Sequence, residues 1–209
     1  MIPNCFVGID PSFSGLGITV INDQDKTITF KELAVDIKHG AFSEIAEASE
    51  IMSNKVITEL DYSRLHNCCI GMEIPPVQGM YAVKLWALDT EIYRAIVKNF
   101  MIKPYLFNVP YLKFINKEYK SKADTKNMIN NILEAFKLEG YHIKQTLKDK
   151  RGKDRKLTSN ECDSFLYAIR MYVKTHYENG IESDMLGNII EINDKFLEEK
   201  ETLIGKKID

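Results

Sequence analysis

Apolar positions open the chain as two short runs split by a turn. Residues 5–9 (CFVGI) are apolar up to Asp10, the Pro-Ser-Phe-Ser-Gly segment 11–15 breaks the run, and residues 16–21 resume it. That pattern predicts a strand, a tight connection and a returning antiparallel strand. A polar turn at 22–26 and an alternating stretch at 27–36 predict a third strand. Beyond Gly40, Phe42, Ile45, Ser49, Met52, Val56 and Leu60 recur three or four residues apart, the buried face of a long helix. Residues 67–74 form a short apolar strand that reaches Glu73 and stops at Pro75 and Pro76. A second long helix is predicted over 80–100, with one stripe of Leu85, Leu88, Ile92 and Ile96 and another of Trp86, Tyr93 and Val97. A fifth strand follows at 103–110, and a third helix at 124–138 is ended by Gly140. A fourth helix, 158–177, starts sharply because Thr158 and Glu161 stand in capping-box spacing. One more helix is predicted at 194–202.

The order βββ-α-β-α-β-α-α defines an α/β fold. Three strands joined by short turns make an antiparallel meander, and a helical crossover returns the fourth strand parallel to the first. The expected sheet is therefore five-stranded and mixed, flanked by helices, within a domain spanning 1–177. Residues 178–209 form a charged extension, partly helical. The C-terminal ends of strands one and four then lie side by side, and Asp10 and Glu73 sit at those ends. The crevice beyond such ends is where open α/β sheets bind ligands.

Charge narrows the picture. The net charge is −2 over 209 residues, so any nucleic-acid site must be a local basic patch. The densest is the segment 148–156, with Lys148, Lys150, Arg151, Lys153, Arg155 and Lys156 and no apolar side chain; a solvated loop has the same composition. Its place directly before the fourth helix favours backbone contact with DNA, which adds affinity without sequence choice. The cysteines, Cys5, Cys68, Cys69 and Cys162, form no CxxC pair, which argues against a disulfide framework or a zinc site. Cys68 and Cys69, as strand neighbours, should face opposite sides of the sheet. With no signal peptide and no run long enough to span a membrane, a soluble, cytoplasmic protein is expected.

Two carboxylates at one strand rim repel each other, and a divalent cation such as Mg²⁺ or Mn²⁺ relieves that repulsion through hard oxygen ligands. Further ligands are available in the Asn160-Glu-Cys-Asp163 segment. Asn160 and Asp163 share a helix face, whereas Glu161 points elsewhere as the cap partner. Acidic residues at a helix N-terminus also serve the helix dipole alone.

In these residues the chain resembles the RuvC-type Holliday junction resolvases of the RNase H-like (retroviral integrase-like) superfamily, in the style of the bacteriophage members. The matching pieces are VGIDPSFSGLGITVI, IGMEIPP, the helical segment 82–85 and NECDSFLYAI, in that order. The resemblance implies a homodimeric, metal-dependent endodeoxyribonuclease that cuts four-way DNA junctions in recombination and repair, leaving a 5′-phosphate and a 3′-hydroxyl. It maps the metal-binding, catalytic carboxylates onto Asp10, Glu73 and Asp163, with two cations per site. The family's fourth position, usually Asp or His, is Asn160, which offers a carbonyl oxygen but no charge; Glu161 is the acidic substitute nearest to it. Lys113 and Lys126 match the family's two phosphate-facing basic positions. Where the family often has an aromatic wedge after the second carboxylate, this chain has Pro76, with Tyr81 the nearest aromatic. Three other readings stay open: an RNase H-like nuclease acting on another branched DNA or on RNA, a nucleotide-binding protein of the actin-like fold, and a non-catalytic junction binder. The actin-like reading needs a duplicated half, and no internal repeat is present.

Overall fold

The structure is a computed structural model that describes residues 2–36, 42–62, 67–75, 82–108, 122–144 and 155–180. Its elements are β1 (Cys5–Asp10), β2 (Leu16–Asn22), β3 (Thr27–Leu33), α1 (Phe42–Tyr62), β4 (Cys68–Ile74), α2 (Ala82–Phe100), β5 (Tyr105–Asn108), α3 (Lys122–Leu138), β6 (His142–Ile143) and α4 (Ser159–Glu178). They form one sheet in the order β5-β4-β1-β2-β3-β6. The β1–β2–β3 meander is antiparallel, while β4 runs parallel to β1 and β5 parallel to β4. The expected mixed α/β sheet is thus present, with one strand more than the pattern predicted. The addition, β6, is two residues long and pairs parallel with the start of β3. Two residues carry no readable alternation. The third strand stops at Leu33, short of the predicted 36, and the helix expected at 194–202 lies outside the described residues.

Helices cover both faces of the sheet. On one face α1 and α2 bury Met52, Val56, Leu60, Leu88, Ile92 and Ile96 against Val7, Ile9, Ile18 and Ile70. On the other face α3 and α4 bury Ile132, Phe136, Phe165 and Tyr172 against Phe6, Ile21 and Phe30. Every residue of β1 is buried, which is why its sequence is a continuous apolar run rather than an alternating one. Cys68 packs on the first side and Cys69 on the second, as strand alternation requires, and all four cysteines are unbridged.

α4 lies close against the strand backbones. A Cβ on Gly8 would stand 1.9 Å from the carbonyl oxygen of Ser164, and one on Gly17 would stand 2.1 Å from that of Asn160. Glycine is therefore required where helix and strands touch. Thr19 and Ser164 join their hydroxyls at 2.8 Å across the same seam. On α2, the predicted second stripe is only partly covered: Tyr93 packs against the core while Trp86 is 44% exposed. No helix among the described residues is long and apolar enough to cross a membrane.

Candidate active site: an acidic centre at the strand ends

Asp10 is the last residue of β1. The parallel register pairs Ile9 with Met72, so the next step along places Asp10 beside Glu73 of β4. Both belong to the alternating set that includes Gly8 and Gly71, the set facing α4. The glycine seats bring α4 down onto this rim, and Asp163, next to Ser164, arrives with it. Three elements far apart in sequence thereby deliver three carboxyl groups to one place.

The electrostatics show how closely they interact. Asp10 is 7% exposed. Burial, then a hydrogen bond with Glu73, then the charges of Glu73, Asp163 and Asp89 push its carboxyl far above the usual carboxylate range. The protonated form of Asp10 is therefore favoured, with its carboxyl in hydrogen-bond contact with Glu73. Tyr167, one helical turn beyond Asp163, is fully buried and hydrogen-bonded to Glu73. Burial and the charges of Glu73 and Asp10 raise its hydroxyl well above the ordinary phenol value, so it stays a donor. Asp89, on the buried face of α2, is also drawn in: burial and the Glu73 charge push it up to about 8. Sequence reasoning missed both residues. Tyr167 is detectable only as the residue four after Asp163, and Asp89 only as a lone acid within an apolar stripe.

The other predicted positions fall elsewhere. The Asn160 amide donates to Glu32 Oε1 on β3 at 2.9 Å, and its backbone lies over Gly17. Glu161 is not its substitute in the acidic centre. The Glu161 carboxylate accepts two hydrogen bonds from Arg155, at 2.6 and 2.7 Å, and one from the Thr158 backbone N–H at 2.9 Å. The Glu161 N–H in turn donates to Thr158 Oγ1 at 3.2 Å, completing the capping box. Burial pulls the Glu161 carboxyl upward, but the Arg155 and Thr158 bonds outweigh it and hold it below the usual range. Arg155, expected on DNA, is thereby committed to this buried acid. Lys156 is exposed. Lys126 lies on α3, its side chain outside the description, and Lys113, Lys148, Lys150, Arg151 and Lys153 lie outside the described residues altogether.

By the chemistry of its hard oxygen donors, this set suits a divalent cation. Asp10 and Glu73 are in hydrogen-bond contact, Asp163 adds a third hard oxygen donor, and the buried Asp89 Oδ1 has no hydrogen-bond partner among the described residues. Among those residues no three or more His, Cys, Asp or Glu side chains are grouped so as to hold a metal ion, so the carboxylates would have to re-aim to bind one.

No family model matches the chain, and no curated protein matches its sequence. Solved structures do resemble it. RuvC of Thermus thermophilus in complex with a Holliday junction substrate is 15% identical, with a TM-score of 0.54 over 85% of this chain and 96% of that one. A second structure of Thermus thermophilus RuvC is 16% identical, with a TM-score of 0.52 over 85% and 97%. Identity at this level speaks for architecture, and the mixed sheet and its flanking helices give the chain an RNase H-like fold.

Proposed function

We propose that the protein is a divalent-metal-dependent DNA endonuclease of RuvC type, resolving four-way junctions by phosphodiester hydrolysis. One observation carries the reading: Asp10, Glu73 and Asp163, from β1, β4 and α4, interact closely at the strand ends of an RNase H-like sheet. Mg²⁺ or Mn²⁺ held by these three carboxylates would supply the Lewis acidity for attack by water and departure of the 3′-oxygen. The chain's own part is positioning and charge. Asp10 would have to lose its proton to solvent to serve as a ligand. Tyr167 keeps Glu73 aimed at the rim through its hydroxyl. Asp163 is held in place by the close seat of α4 on Gly8 and Gly17. Exposed Lys156, with Lys148, Lys150, Arg151 and Lys153 before it and Lys113 and Lys126 elsewhere, would meet DNA phosphates. Arg155 instead pairs with Glu161.

The test is cleavage of a mobile four-way junction beside flap, RNA–DNA hybrid and linear duplex substrates, with and without Mg²⁺. Junction cleavage that needs Mg²⁺ and is lost in Asp10→Asn, Glu73→Gln and Asp163→Asn, with junction binding retained, is the expected result. Turnover at the wild-type level in any of these three variants would remove that residue from the site. Preferred cutting of another substrate would keep the nuclease and replace the junction.

A further inference from the structure

Asp89 occupies a position where the fold has no use for a charge. The buried face of α2 is Ala82, Leu88, Asp89, Ile92 and Ile96, and a leucine in the third place would complete it. Aspartate is almost never fully buried unless it is paired. Asp89 is 5% exposed, yet its Oδ1 has no hydrogen-bond partner among the described residues. The charged groups that it interacts with are themselves acids, Glu73 and Asp10. An acid set beside two others, with one oxygen unsatisfied, lacks a positive counterpart among the described residues. The fourth position of the acidic centre carries no charge: it is Asn160, whose Nδ2 donates to Glu32 on β3.

We propose that Asp89 is a fourth carboxylate of the acidic centre, contributed from the α1–α2 layer, and that it, rather than Asn160, supplies the additional oxygen to a bound divalent cation. The inference rests on the metal-dependent reading above. Asp89 Oδ1 is then the oxygen that the cation satisfies, and the cost of burying the acid is offset only when metal is present. Nothing in the RuvC resemblance marks this helix position.

The experiment is a calorimetric Mn²⁺ titration of the full chain, with thermal unfolding recorded with and without Mn²⁺. Wild type, Asp89→Asn, Asp89→Leu, Asn160→Ala and Asp10→Asn are compared. Asp89→Asn should weaken Mn²⁺ binding by about tenfold or more, while Asn160→Ala leaves it unchanged. Asp89→Leu should unfold at a higher temperature than wild type without Mn²⁺ and gain less when Mn²⁺ is added. An Asp89→Asn titration that overlays wild type while Asp10→Asn loses binding would overturn this assignment alone. An Asp89→Leu protein less stable than wild type without metal would overturn it too, making Asp89 a residue of the fold. A wild-type chain that binds no Mn²⁺ would remove this inference and the metal-dependent function together.

Discussion

Burial first, and then the hydrogen bond and charges of the neighbouring acids, raise the pKa of Asp10, and this has a measurable sign. Its folded-state pKa lies above the unfolded value of about 3.9. Folding therefore favours the protonated form, and stability is full below the unfolded pKa and lost as pH rises toward the folded one. In metal-free buffer, wild type should lose about 1–3 kcal/mol more than Asp10→Asn between pH 5 and pH 8, read from urea midpoints. Equal slopes for the two proteins would mean that Asp10 ionises normally. Saturating Mg²⁺ should flatten the wild-type slope. Asp10 and Glu73 were legible in the sequence because each is a lone carboxylate ending an apolar strand. Asp89 was not, because Leu85 offered an alternative stripe on α2, yet Leu85 is only half-buried while Asp89 is buried.

At the level of elements, α4 depends on both ends of one short segment. Its capping box was readable because it is local, three residues from donor to acceptor. The Arg155 pair with Glu161 was not, since a basic run predicts solvated lysines and arginines before it predicts an inward-turned one. Nor could the glycine seats be assigned, because Gly8 and Gly17 reveal their purpose only once a helix 150 or so residues later lies across them. Glu161 has a depressed pKa, so its contribution is full above the unfolded carboxylate value of about 4.3 and lost as pH falls through the folded one. Arg155→Ala should cost about 2 kcal/mol at neutral pH, since it strands a fully buried acid beside a partner that is itself 29% exposed. The penalty should shrink as pH falls below the unfolded carboxylate value and through the folded one. A variant as stable as wild type at pH 7 would show that Thr158 alone satisfies Glu161.

Across the whole molecule, α2 presents Val83, 68% exposed, and Trp86, 44% exposed, on the side turned away from its buried face. A second copy packed on this side would give a two-fold pair of cutting sites, matching the symmetry of a junction. Sedimentation at micromolar concentration should report a dimer, and Trp86→Glu should shift it to monomer; a wild-type monomer would leave the segment 178–209 as the cover. The mixed sheet was legible as a whole because each turn and crossover has its own local signal, whereas β6 needs its partner strand to exist at all. The seating of α4 on β1 also orders events during synthesis. β1 leaves the ribosome well before the helix that covers its α4-side face and carries Asp163, which is translated some 150 residues later. Chains elongate at about 5–20 residues per second, so for several seconds that face of the nascent sheet stays open. A half-made chain is therefore sticky, and on the proposed function it would acquire its third carboxylate, and with it the means to cut DNA, only as α4 closes over the sheet.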